Sequence, residues 1–201
     1  ALGLEVQKHL DEMYEDGTLV EISMKWFGKD TYLKDADFIE ESQAPEGDDS
    51  LEKILEKGKL IVGLDDSFPP MGFRDEKGEI VGFDIDLARE VAERMGVEVE
   101  LKPIDWSANI LSLNNKDIDV IWNGLTITES RKKEIEFSKP YLANRQIIIT
   151  QAGSDIKTKA DLAGKIVGVQ LGSSAEEALN ADTETAETLK EIMKYGNYTE
   201  A

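Results

Sequence analysis

Cysteine is absent from this 201-residue chain, and histidine occurs once. Without cysteine there is no disulfide, no thiolate zinc site and no thiol nucleophile, although the compartment stays open. The lone His9 stands among Lys8, Asp11 and Glu12 in a helical stretch, and reads as a solvated surface residue. No apolar run is long enough to cross a bilayer; Ile118–Trp122 and Gln146–Thr150 have the length of strands. Positive charge is scarce: 23 Lys and Arg face 42 Asp and Glu, a net charge of −19. Such a surface repels phosphate backbones and anionic lipid, so nucleic acid is not an expected partner. No signal peptide opens the chain, which starts at Ala1 inside a helical pattern; a processed, engineered or cut chain is the expectation.

What is present has the balance of a globular protein, with 40% hydrophobic and 32% charged residues. Leu2, Val6, Leu10 and Met13 recur at helical spacing, and Gly17 is a plausible stop. Thr18 is a candidate cap for a second helix with Leu19, Ile22, Trp26 and Phe27 on one face and Gly28 closing it. Lys29–Asp49 has little periodicity and ends in an acidic run after Pro45, which reads as a surface linker. Ser50 then caps a short helix carrying Leu51, Ile54 and Leu55, closed by Gly58.

A denser pattern follows. Lys59–Leu64 reads as a strand, Phe68-Pro69-Pro70 as a rigid loop and Lys77-Gly78 as a turn. Ile85, Ala88, Val91, Ala92 and Met95 mark a helix stopped by Gly96, and Val97, Val99 and Leu101 alternate as in a strand. Ser107–Asn115 reads as a helix and Ile118–Trp122 as a buried strand. After Pro140-Tyr141 come a strand at Gln146–Thr150, a short helix at Thr158–Leu162, a strand at Lys165–Gln170, a helix at Ser173–Leu179 and a strand at Glu191–Tyr195. A further helix is expected to open at Tyr198. Strands alternating with helices imply an α/β fold with parallel strands and right-handed crossovers.

Several stretches, in this order, carry a resemblance. They are Val62-Gly63-Leu64-Asp65 with Phe68-Pro69-Pro70, Gly82-Phe83-Asp84-Ile85-Asp86-Leu87-Ala88 and Ile118-Asp119-Val120-Ile121. Thr126-Ile127-Thr128-Glu129-Ser130-Arg131, Phe137-Ser138-Lys139-Pro140-Tyr141 and Val167-Gly168-Val169-Gln170-Leu171-Gly172-Ser173-Ser174 complete them. Together they resemble the polar amino-acid-binding proteins of bacterial ABC uptake transporters, solute-binding family 3. Ala1–Gly28, with Leu10-Asp11-Glu12-Met13 and Lys25-Trp26-Phe27-Gly28, resembles the same family's closing helices, so the family's end precedes its beginning.

The resemblance implies a periplasmic-binding-protein type II fold, two α/β lobes joined by a hinge, with the second lobe incomplete. Residues 1–28 with 50–144 would form lobe 1, 29–49 a linker and 145–201 part of lobe 2. It implies an extracytoplasmic protein, periplasmic or lipid-anchored on a Gram-positive cell, that hands a free amino acid to a transporter permease. No catalysis, cofactor or metal is implied. The rearranged order points to a permuted, split or engineered form, with a second chain or copy supplying the missing segment. The alternatives on the same fold are a ligand-binding sensor or receptor domain and a dehydratase-type enzyme.

A free amino acid presents a carboxylate, an ammonium and a side chain. Arg131 can bind both carboxylate oxygens in parallel, although the run Arg131-Lys132-Lys133 equally reads as solvated charge; the resemblance assigns it to the ligand. The Thr126 hydroxyl and the backbone at Gly124 add donors. Gly172-Ser173-Ser174, between strand and helix, reads as an anion seat or simply as a helix cap, and Ser173 and Ser174 are taken as ligand-binding. Phe68 and Trp106 match positions that sandwich the ligand side chain, against a plain reading as core. Asp65 matches a pocket position and is also a natural turn-former before Phe68-Pro69-Pro70. Asn123 and Gln170 are candidates for the ligand's polar tip. Negative charge on Asp65 and Asp66 favours a basic or polar ligand of the arginine, lysine or glutamine type over an acidic one. The second-lobe aspartate that in the family holds the ammonium has no match, since Asp182 lies in an unrelated polar run.

Overall fold

The structure, a computed structural model, describes residues 1–33 and 45–201; most of the expected linker, at 34–44, lies outside the described residues. The chain divides into two units, Ala1–Ile104 with Asn109–Ala143, and Asp105–Ala108 with Asn144–Ala201.

The first unit is built on three parallel strands in the order β5-β1-β6: β1 (Lys59–Leu64), β5 (Glu98–Pro103) and β6 (Val120–Ile121). β1 is central, pairing Leu60 with Val99 and Val62 with Val120. Leu60, Val62 and Leu64 are buried. Gly63 lets Ile118 pack close to β1: a Cβ there would lie 2.4 Å from Ile118 Cδ1, so that side chain would have to move. The strand expected over Ile118–Trp122 pairs through two residues only, while Ile118 and Trp122 at its ends are the buried ones.

Helix α4 (Phe83–Met95) follows the expected spacing and buries Phe83, Ile85, Leu87, Ala88, Val91, Ala92 and Met95. Gly96 ends it in the left-handed conformation. Helices α1 (Leu2–Glu15), α2 (Thr18–Phe27) and α3 (Ser50–Lys57) join the same core: Leu2, Val6, Leu10, Met13, Leu19 and Ile54 form one apolar cluster with Leu60, Val62, Phe83 and Val91. Burial of these six side chains, at roughly 1.5–3 kcal/mol each, favours the packing of these helices into the shared core. Polar contacts set their register. Trp26 Nε1 and Lys25 Nζ both donate to Asp86 on α4, at 2.8 and 2.6 Å, and Arg94 reaches Asp16 at 2.8 Å.

Two caps differ from expectation. Gly17, at φ 89°, is the N-cap of α2 and Thr18 is its first residue. Asp49 occupies the N-cap of α3, and Ser50 Oγ instead accepts the Leu2 N–H at 2.9 Å. Part of the expected linker is anchored: Tyr32 stacks on Tyr14 with centroids 4.6 Å apart, and Leu33 N–H donates to the Tyr141 carbonyl.

A small antiparallel sheet, missed in the sequence, lies in the same unit: β2 (Ser67–Phe68), β3 (Gly72–Arg74) and β4 (Ile80–Val81). Its strands are too short for alternation to register. The expected helix Ser107–Asn115 is a 3-10 turn, Trp106–Ala108, followed by α5 (Asn109–Asn114).

The second unit holds β7 (Ile166–Gln170) and β8 (Glu191–Tyr195), paired in parallel from Ile166↔Glu191 to Gln170↔Tyr195. Thr158 and Asp161 form a reciprocal capping box on the 3-10 helix Lys159–Leu162. α6 (Ser174–Ala181) follows β7, and α7 (Thr183–Ala186) was not expected. The strand expected at Gln146–Thr150 does not form, and Ile147, Ile148 and Ile149 are 68%, 52% and 84% exposed. Three isoleucines bury only where sheet neighbours cover them, and this two-stranded sheet supplies none. Tyr198–Glu200 is a turn rather than a helix start. No helix among the described residues is long and apolar enough to cross a membrane.

Candidate functional site

In the first unit, six of the expected site residues sit beyond the carboxyl ends of β1 and β6 or on the segments that follow them, the edge where open α/β sheets take ligands. Asn123 pins this edge: its Oδ1 accepts the Asp65 N–H at 3.2 Å. Its Nδ2 is buried with no partner among the described residues and lies where a Cβ on Gly72 would approach to 2.5 Å. Asn123 thus braces the backbone here through its Oδ1.

Asp65 behaves largely as a turn-former, since its Oδ1 accepts both the Ser67 N–H at 2.9 Å and the Ser67 hydroxyl at 2.6 Å. Its neighbour Asp66 is paired with Arg74 at 2.6 Å. The negative field expected from the two aspartates is thus partly cancelled on the spot, which weakens the charge argument for ligand choice. Phe68, on β2, is half-buried against the core. Gly124, at φ 60°, lies so close that a Cβ would come within 3.3 Å of the Phe68 ring and 3.4 Å of Met71.

Arg131 is buried, 7% exposed, which sets it apart from its exposed neighbours Lys132 and Lys133. Its Nη1 donates to the Thr126 carbonyl at 2.9 Å, and its own N–H reaches Thr128 Oγ1 at 3.3 Å. The guanidinium is held by the backbone of the loop that carries Gly124 and Thr126. A fixed, desolvated guanidinium is suited to a planar, bidentate anion such as a carboxylate.

The other four expected residues fall in the second unit. Trp106, grouped there through Asp105–Ala108, is buried in the 3-10 turn. Gln170 is buried at the end of β7, and its Nε2 donates to the Gly196 carbonyl at 3.1 Å, tying the ends of β7 and β8. Ser173 caps α6 by accepting the Glu176 N–H at 3.2 Å. Ser174 Oγ accepts from Gln146 Nε2 at 2.9 Å. The Gly172 N–H, expected to face an anion, already donates to Glu176 Oε2 at 2.7 Å. Lys194, 2.7 Å from the same side chain, bonds to it and holds its carboxyl below the ordinary range. The seat thus carries a carboxylate of its own chain. Glu176, three residues beyond the cap, is the capping-box signal that could have revealed this.

Two further residues were not singled out as site candidates. His9 is buried, not solvated, with Nδ1 2.8 Å from Glu12 and Nε2 3.1 Å from Glu5. Asp84 is fully buried and receives the Tyr141 hydroxyl at 2.7 Å. Burial raises its pKa to about 7, against the opposing effect of the Tyr141 hydroxyl and the Gly124 backbone N–H.

The family described as Bacterial extracellular solute-binding proteins, family 3, matches residues 60–201. The L-cystine-binding protein TcyJ of Escherichia coli (strain K12) is 40% identical over 136 residues, 67% of this chain and 51% of that protein. An ancestral arginine-binding protein bound to arginine superposes with a TM-score of 0.66 at 46% identity, over 71% of this chain and 63% of that one. An ABC uptake transporter substrate-binding protein from Streptococcus pneumoniae, with bound histidine, gives a TM-score of 0.73 at 37% identity, over 77% and 64%. The chain spans about half the length of the first of these relatives.

Proposed function

We propose, from the premise that this chain belongs to family 3 of the bacterial extracellular solute-binding proteins, that it binds a free polar or basic L-amino acid outside the cytoplasm for an ABC uptake transporter. On this reading it performs no chemistry on the ligand. The observation that carries it is Arg131: a buried guanidinium, locked to the Thr126 carbonyl, in the loop that follows the end of β6. In this reading Arg131 takes the ligand carboxylate, Thr126 and the Gly124 backbone add donors, and Phe68 offers an aromatic wall. Trp106, Gln170, Ser173 and Ser174 are the second unit's candidates. Because Asp66 is paired with Arg74, ligand choice among arginine, lysine and glutamine rests on Asp65 more than on a general negative field.

The rearranged order belongs to this proposal too. It is supported by the shared core of α1, α2, β1 and α4, which joins Ala1–Gly28 to the residues that follow the linker. A partner chain or copy that adds strands and an ammonium-binding acid is supported by the exposed run Ile147–Ile149.

Calorimetric titration with the twenty common amino acids, alongside light scattering, tests the reading. Saturable heat with a basic or polar amino acid is the expected result. No heat from any of them, or tighter binding of glutamate than of arginine and glutamine, overturns it. A monodisperse monomer with micromolar affinity, about −8 kcal/mol, removes the need for a partner.

A further inference from the structure

We propose that Trp26, on helix α2, is a positioning residue of the ligand site: it backs the β2–β3 hairpin from behind and so sets where Phe68 stands. The inference rests on the amino-acid-binding reading above and gives Trp26 no contact with the ligand.

The register of the hairpin gives it two different faces. Residues opposite each other in an antiparallel pair share a face, and successive residues along a strand alternate. Ser67 is paired with Phe73, and Phe68 with Gly72. Phe73 and Ser67 therefore share one face, and Phe68 and Gly72 the other.

Each face has its own neighbour. Trp26 meets the first: its ring lies 5.8 Å from that of Phe73 at 86°, the T-shaped arrangement that aromatic pairs favour. The segment after β6 meets the second. A Cβ on Gly72 would lie 2.5 Å from Asn123 Nδ2, and one on Gly124 would lie 3.3 Å from the Phe68 ring. The hairpin is thus clasped between α2 and Asn123–Gly124, with Phe68 on the side of the site. Strands of two and three residues do not hold a sheet rigid by themselves, so packing on each face has to.

Trp26 is itself fixed. Its Nε1 donates to Asp86 Oδ2 at 2.8 Å, and Lys25 Nζ reaches the same oxygen at 2.6 Å. Asp86 lies on α4, and the first N–H groups of α4 hold the turn of the hairpin. The Phe83 N–H donates to the Pro70 carbonyl at 2.8 Å and the Asp84 N–H to the Met71 carbonyl at 3.0 Å. Phe27 adds a ring contact to Phe83, with centroids 4.9 Å apart. Helix α4 is therefore a common frame for α2 and the hairpin, and the indole fills the gap between two anchored bodies.

Without the indole, Phe73 can settle toward α2 and carry its partner Ser67 with it. Ser67 precedes Phe68, and its N–H and hydroxyl both donate to Asp65 Oδ1, at 2.9 and 2.6 Å. The aromatic wall then tilts away from Gly124, and a ligand side chain loses its support.

The test is a double-mutant cycle read by titration with L-arginine, with thermal unfolding of every variant. The proteins are the wild-type chain, Trp26→Leu, Phe68→Leu and the double variant. Leucine keeps apolar bulk, and Lys25 still pairs with Asp86, so Trp26→Leu strands no charge. Expected is an affinity loss of about three- to tenfold for Trp26→Leu in the wild-type background, the worth of one aromatic pair. In the Phe68→Leu background the same change should cost less than about twofold, because the wall it positions is gone. A Phe68→Leu background too weak for calorimetry is read at high L-arginine by ligand-detected NMR. Should Trp26→Leu fail to fold, Phe73→Leu removes the same ring contact from the hairpin side and runs the cycle with the same expectations. A merely structural Trp26 would lower Tm and leave affinity unchanged, or weaken binding by the same factor in both backgrounds; either result overturns the inference alone. Should the wild type bind another common amino acid and not L-arginine, the cycle runs on that one. No binding of any common amino acid by the wild type overturns the inference together with the proposed function.

Discussion

β1 and β7 are both strands with a parallel partner, yet they fare differently. On β1, Leu60, Val62 and Leu64 are buried, because β5 and β6 flank it and α4 packs on it. On β7, Val169 and Gln170 are buried while Ile166 is exposed, because β8 is its one paired neighbour among the described residues. The preceding run Gln146–Thr150 is as apolar as β1 and forms no strand at all. Residue type does not separate these segments. The number of neighbours does, since apolar burial stabilises in proportion to the area that other elements cover.

That contrast is breakable by substitution. Leu60→Ala, in the center of the first unit, should destabilise by about 3–5 kcal/mol, read from urea or thermal unfolding, because a cavity opens with no exposed side to collapse from. A cost below about 1 kcal/mol would mean that the first unit is no better packed than the second. Arg131→Ala should leave the unfolding midpoint of the first unit almost unchanged and weaken amino-acid binding by about 2–5 kcal/mol, the usual penalty when one side of a buried charged contact is cut. Equal affinity in the variant would return Arg131 to the status of Lys132 and Lys133.

Asp84 sharpens the comparison through pH. Its folded pKa, about 7, lies above the ordinary carboxylate value of 3.8, so between these limits the folded chain holds a proton that the unfolded chain has released. Stability contributed by this group is therefore present at low pH and lost as pH rises from about 4 through about 7. Guanidinium melts across that window should show the loss in the wild type and not in Asp84→Asn. The smallest effect belongs to the second unit: Ile148→Thr should change stability by no more than about 0.5 kcal/mol, as at other exposed positions. A loss above about 1.5 kcal/mol in the isolated monomer would show that the isoleucine run is covered in solution. Hydrogen exchange supplies a direct readout, with amides of β1 and α4 protected longer than those of β7 and β8.

Local chemistry was enough to place much of the chain. The glycines after α2, α3 and α4 end those helices in left-handed conformations, and the apolar spacing of α1 and α4 matches the faces they bury. Lys59–Leu64, Lys165–Gln170 and Glu191–Tyr195 were legible as strands because each is a short apolar or alternating run bounded by turn residues. Tertiary structure alone decided which polar groups are inside. His9 stands beside Lys8 and near Asp11 and Glu12, and Asp84 is two residues from Asp86, yet both are buried on the inward faces of their helices. Asp84 and Asp86, two residues apart, thus meet opposite fates: one faces the core and Tyr141, the other reaches Lys25 and Trp26 on α2. Likewise only packing distinguishes Arg131 from Lys132, and no strand among the described residues covers Ile147–Ile149, which lie in solvent. Periodicity reports what a segment prefers to bury; whether another element covers it depends on contacts from residues far along the chain.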